Sequence, residues 1–215
     1  LHRGRPHKWG GLRPSLFFVE IATMRYSIDE TTSGLSTADI VSTADLKAHL
    51  RVTHSDEDTL IESLRDVAVN YVENMTNARL GDRAAVIYYD AIYSAFEIPV
   101  GPMTNLTHTL EYATGASTYT ALTEGTHYYI DFNRTPARVT MISTPTAFTY
   151  AHSKMKLTCN IGYAEADVPP ALVHAVKLLV SHMYELRQPE ITVTSTTLKL
   201  GLEALLNPYR IISFR

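Results

Sequence analysis

Apolar positions along this chain repeat with two different periods, and the change of period divides it. Between about residues 56 and 77, Leu60, Ile61, Leu64, Val67, Ala68, Tyr71, Val72 and Met75 recur at helical spacing and make one apolar face. Asp56, Glu57 and Asp58 fall in the first turn of that helix, where carboxylates meet the positive end of its dipole. Two capping boxes, Ser42-x-x-Asp45 and Ser55-x-x-Asp58, predict the starts of a short helix and of this long one. From about residue 84 the period drops to two. Met155, Leu157, Cys159, Ile161 and Tyr163 alternate with Lys154, Lys156, Thr158, Asn160 and Gly162, which predicts a strand with one buried and one wet face. Leu106, His108, Leu110 and Tyr112 alternate in the same way, and further strands are predicted near 86–98, 119–122, 127–132 and 138–143. The pattern is that of a compact antiparallel β unit inserted between helices.

Helical spacing returns after Pro169 and Pro170 and stops before Pro189. His174, Lys177, Ser181 and Glu185 form a narrow polar stripe on that helix, while Val173, Val176, Val180 and their neighbours cover most of the remaining surface. A helix apolar nearly all round needs cover on more than one side. A neighbouring subunit is the natural supplement, so these valines are expected to lose their remaining exposure only in an oligomer. Beyond it, residues 191–198 are rich in β-branched side chains and predict an extended arm. A short helix at 202–206 is expected to end at Pro208. Residues 189–215 thus read as a docking arm whose removal leaves the helices and the β unit folded.

Composition adds little to the class and something to the partners. The chain of 215 residues is 45% hydrophobic and 19% charged, ordinary for a folded domain. Its net charge of -3 conceals an asymmetry: Arg3, Arg5, Lys8 and Arg13 against Glu20 give residues 1–23 a charge of +3, leaving -6 for the rest. A single cysteine, Cys159, excludes an intrachain disulfide and suits a reducing compartment. No apolar run has the length of a membrane span. The run Leu16-Phe17-Phe18-Val19 after basic residues imitates a signal peptide, but Glu20 interrupts it.

Nine histidines invite a search for metal, yet no ligand spacing of a known kind is present. His49 and His54 beside Asp56 and Asp58 read as a solvated, capped helix start. His174 and His182 stand two turns apart, too far for one ion. His108 reads as a hydrogen-bonded core or interface residue, and Cys159, on the apolar face of its strand, as a small buried hydrophobe. No nucleophile elbow, phosphate loop or dinucleotide fingerprint occurs, so neither an enzyme nor a cofactor is expected. The basic segment holding Arg3, Arg5, Lys8 and Trp9 could meet phosphates, but its four cations suit an acidic protein surface equally, and the protein partner is preferred.

Two groups of residues carry a resemblance. The first is residues 44–52 (Ala-Asp-Leu-Lys-Ala-His-Leu-Arg-Val) with Asp56, Asp58, Ile61, Tyr71, Val72, Glu73 and Thr76. The second is Gly162-Tyr163, Val168-Pro169-Pro170, Tyr184-Glu185-Leu186-Arg187 and Leu205-Leu206-Asn207-Pro208-Tyr209-Arg210. Together they resemble the gp6-like head-tail connector (adaptor) proteins of tailed bacteriophages. The branch with a β insertion is suggested by Phe96 to Pro99, Gly101-Pro102 and Tyr128 to Phe132. The resemblance implies an α+β fold: an N-terminal arm at 1–41, a helical connector core at 42–82 and 164–188, an inserted β domain at 83–163, and a C-terminal docking arm at 189–215. It also implies a structural virion protein at the head-tail junction, made in the host bacterial cytoplasm. Such proteins form a ring, commonly of twelve copies, beneath the portal protein. The ring passes genome DNA without specific binding and meets the next head-completion or tail protein; no membrane is involved. Portal or subunit contacts are expected from Arg3, Arg5, Lys8, Trp9, Val173, Val176, Val180, Tyr184, Arg187, Leu205, Leu206, Tyr209, Arg210 and Phe214. The alternative is a DNA-binding or tail-completion module that forms no portal-bound ring.

Overall fold

The computed structural model describes residues 25–30, 35–103, 107–147, 151–186 and 195–212, with the backbone alone at 195–200. Among the described residues, five α-helices and eight strands occur in the order β1 (Tyr26–Glu30), α1 (Thr37–Ile40), α2 (Thr43–Leu50), α3 (Asp58–Thr76), β2 (Arg83–Tyr89), β3 (Ala95–Glu97), β4 (His108–Ala113), β5 (Tyr119–Ala121), β6 (Tyr128–Asp131), β7 (Arg138–Met141), β8 (Met155–Ile161), α4 (Pro170–Glu185) and α5 (Ser195–Leu206). The α+β class and the insertion of strands between helices agree with the sequence pattern.

The strands make two antiparallel sheets, one of order β1-β2-β8-β4-β5 and one of order β3-β7-β6. Their inner faces share a core in which Ile87, Leu110, Leu157 and Ile161 from the larger sheet are buried with Phe96, Tyr128, Ile130 and Val139 from the smaller. Period-two alternation is what allows each strand to give one face to this sandwich. The predicted strand at 86–98 is in fact two. The chain leaves the larger sheet at Tyr89 and enters the smaller at Ala95, so β2 and β3 lie on opposite sides of one core. A change of sheet leaves the alternation almost intact, which is why the pattern hid it.

The helices form a second core of Leu46, Ile61, Ala68, Val72, Leu172, Val176, Val180, Leu202 and Leu206. Ser42 caps α2 as predicted, its hydroxyl accepting the Asp45 N–H at 3.0 Å. The second box does not form. Glu57 occupies the cap position of α3 with no side-chain cap, and the Asp58 carboxylate turns instead to Lys47 of α2 at 2.7 Å. An ion pair between helices thus displaces a local bond. Arg65, only 7% exposed, donates to the hydroxyls of Thr37 and Thr43 at 3.2 Å and fastens α1 and the start of α2 to α3.

Both expected arms need correction. Residues 26–30, assigned to an N-terminal arm, pair with β2 as the edge strand β1, and α1 has its own capping box of Ser36 and Asp39. At the other end α5 begins at Ser195, inside the stretch expected to be extended. Leu202 and Leu206, four residues apart on one helix face, are 6% and 3% exposed against the helical core, so tertiary burial outweighs the β propensity of the threonines. Ile211 is buried as well, its N–H donating to the Thr76 carbonyl at 2.7 Å. The C-terminal segment is therefore part of the fold, and removing it takes core residues away.

Candidate interaction surfaces

The residues expected to meet other proteins fall into three groups. Arg3, Arg5, Lys8, Trp9, Arg187 and Phe214 lie outside the described residues. Val176, Val180 and Leu206 are interior: the two valines are fully buried and Leu206 nearly so, covered by the chain's own helices. For Val176 and Val180 this corrects the expectation of cover from an oligomer, because α3, α5 and α2 bury them within one subunit. Val173, Tyr184, Leu205 and Tyr209 are half-buried against the same core, and Arg210 is exposed. Tyr184 is already engaged, its hydroxyl donating to the Glu57 carboxylate at the start of α3.

The surface the sequence reading missed is on α3. Its eight apolar residues do not form one covered face. Ile61, Ala68 and Val72 are fully buried, whereas Leu60, Val67 and Tyr71 are 37%, 56% and 44% exposed, with Leu64 half-buried between them. At about 100° per residue, Leu60, Leu64, Val67 and Tyr71 stack within roughly 60° of one another, next to the buried stripe. Their spacing of four, three and four residues is that of a helix-packing seam. Ser63, Asn70 and Asn74 border it, all exposed and all uncharged. The clue was available in the sequence: the apolar arc is wider than a single partner helix covers.

Chemistry of other kinds finds less support. Cys159 is 2% exposed, and burial pushes its thiol up to about 12, so the reactive thiolate is scarce at neutral pH. The His108 side chain packs against the rings of Tyr128 and Phe132 and reaches the Glu124 carboxylate at 3.4 Å, a partnered core position. His49 and His174 approach edge to face at 6.3 Å between ring centres. Among the described residues no group of three or more His, Cys, Asp or Glu could hold a metal ion, and no helix is long and apolar enough to cross a membrane. A small cleft of about 30 Å³ between the loops at 100–103 and 132–137 and Ile211 contains one ionisable side chain, Arg134, which is paired with Glu97 at 3.0 Å.

Comparison with known proteins bears on these surfaces. The family model described as phage gp6-like head-tail connector protein matches residues 41–131. A chain from the neck of the empty GTA particle, computed with C6 symmetry, is 20% identical with a TM-score of 0.69, the match covering 86% of this chain and 96% of that one. A chain from the virion of the native gene transfer agent particle is 20% identical with a TM-score of 0.68, covering 86% and 95%. One from the native neck, computed with C12 symmetry, is 21% identical with a TM-score of 0.64, covering 86% and 96%. No curated protein matches by sequence. The resemblance to phage gp6-like head-tail connectors is thus shown over residues 41–131, and the α+β fold is that of chains in the neck of gene transfer agent particles.

Proposed function

We propose that this chain is a structural head-tail connector subunit that assembles as a ring beneath the portal of a DNA-filled particle, extends the DNA channel and joins head to tail. The observation that carries the reading is the coincidence of two independent likenesses: the connector family match at 41–131 and a neck fold over 86% of the chain. Structures of those necks with six- and twelve-fold symmetry support a ring of copies. Twelve copies, the portal as partner and the virion as location follow from the same reading.

Contact between copies falls to the seam Leu60, Leu64, Val67 and Tyr71. A body of net charge -6 outside residues 1–23 repels its own copies least where the surface is apolar and its border uncharged. Tyr209, Arg210 and Phe214 are assigned to the portal. The test is particle size and electron microscopy of the purified chain beside its Val67→Glu, Tyr71→Glu variant. Rings from the wild type and folded monomers from the variant are the expected pair. Rings from both place the contact elsewhere, and a wild-type monomer that binds DNA with a steep salt dependence replaces the connector by a DNA-binding module.

A further inference from the structure

The helical and sandwich cores are separate, and few stretches of chain cross between them, chiefly 77–82 and 162–169. Linkers of this kind are where domains hinge. Here the waist carries a chain of alternating charges. Glu73 on α3 is 5% exposed, and its Oε1 accepts the Leu80 N–H at 2.8 Å and Nη2 of Arg83 at 2.7 Å. The other arm of the same guanidinium, Nη1, reaches Glu30 Oε2 on the edge strand β1 at 3.2 Å. Glu30 also takes the Arg79 guanidinium, with Nε at 2.8 and 2.9 Å from its two oxygens. Burial disfavours the ionised Glu30, yet the hydrogen bonds and charges of Arg79 and Arg83 outweigh it and hold its carboxyl below the ordinary range.

We propose that Glu73, Arg83, Glu30 and Arg79 act as a latch that sets the angle of the sandwich on the helices, so that every copy of the chain presents its β unit at one tilt. One bridge, Glu73 to Arg83, crosses the waist from α3 to β2, a second, Arg79 to Glu30, ties the crossing segment itself to β1, and Arg83 joins the two into one ladder. The second bridge attaches to β1, outside β2 in the sheet order, where it resists rotation about the covalent crossings. A planar guanidinium with two separate arms can hold two carboxylates in one geometry, which a lysine ammonium cannot. The backbone at the waist is also bonded, with the Tyr163 N–H on the Arg79 carbonyl at 3.1 Å and the Arg79 N–H on the Gly101 carbonyl at 2.7 Å. Those bonds fix the pivot, and the ladder fixes the angle about it. The inference holds whether or not the copies form a ring.

The test is a distance measurement by pulsed electron spin resonance between nitroxide labels on Ala48→Cys and Tyr129→Cys, two exposed positions on opposite units and outside the seam on α3, in a Cys159→Ala background with the labelled chain diluted in unlabelled chain. Without further change the pair should give a single narrow distance distribution. Arg83→Met is expected to lose that narrow peak to a broad or split distribution while circular dichroism stays native, and Arg83→Lys should restore stability better than it restores the peak. If Arg83→Met does not fold, Arg79→Met with Glu30→Gln, on the more exposed rung, is read in the same way. A distribution as narrow in the folded ladder variants as in their parent overturns the proposal and leaves the angle to the backbone bonds.

Discussion

The sandwich and the helical unit are built from similar material and finish differently. In the sandwich each inner face has a facing sheet, and among its described residues the exposed large apolar side chains are Tyr129 and Ile142. In the helical unit Leu60, Val67, Tyr71 and Leu186 stay open, three of them in one seam on α3. Two sheets saturate one another because every inward residue of one meets the other at a fixed spacing. A helix has apolar surface to spare whenever its arc exceeds what its neighbours cover. The difference teaches which unit is complete by itself and which is shaped for company.

Truncation before Ser195 should break the comparison most visibly. It removes Leu202, Leu206 and Ile211 from burial, each worth about 1.5–3 kcal/mol. Helical circular dichroism should melt at much lower denaturant while the aromatic near-ultraviolet signal of the sandwich persists; unchanged helical stability would mean α5 is dispensable. Leu157→Ala attacks the other side. Leu157 is fully buried between Ile87 and Leu110, and its truncation should cost about 2–5 kcal/mol in a denaturant titration.

Gly162→Ala probes the waist between the two. With φ of +110° and an added Cβ only 2.2 Å from the Gly81 carbonyl oxygen, the substitution should cost at least about 1–3 kcal/mol and loosen both units together. Loss confined to one unit's spectroscopic signal would show that the waist does not couple them.

Acid gives a gentler handle. Glu30 has its carboxyl lowered in the fold, so its contribution is complete above the unfolded value of 4.5 and fades as pH falls through the lower folded value. Glu30→Gln should flatten the stability profile in that window below pH 4.5, and a profile unchanged by the substitution would remove Glu30 from the account. The smallest effect, with an unusual sign, is expected at Tyr89. Its hydroxyl is buried without a hydrogen-bond partner among the described residues, and burial holds it far above its ordinary pKa. Tyr89→Phe should be neutral or stabilising by up to about 1 kcal/mol.

The legible parts of this chain were those in which one residue answers to one neighbour. Alternation over 154–163 located β8 to within two residues, and Pro169-Pro170 marked the start of α4. The seam on α3 was only hinted at by the width of its apolar arc, because periodicity reports that a face is apolar and says nothing of how much of it another helix reaches. The burial of Leu206 and Ile211 was hidden for the converse reason: short apolar segments near a terminus look unpartnered until distant helices arrive. The ladder of Glu73, Arg83, Glu30 and Arg79 could not be seen at all, since its members come from three elements and the loop at 77–82 and meet only in the fold.

The insertion of the sandwich between α3 and α4 also sets an order of events on the ribosome. The five-stranded sheet needs nothing after Ile161, so the β unit can close while the remainder of the chain is still being made. Helix α3, synthesised earlier, must wait for everything from Asn77 to Pro169 to emerge before α4 can cover it. During that interval Ile61, Ala68 and Val72 are as open as Leu60 and Val67, and the nascent helix offers sticky surface on two sides at once. Slow translation through the strands would lengthen this exposure, and fast translation would shorten it, so the yield of soluble chain should follow codon choice within the insertion more closely than codon choice before it.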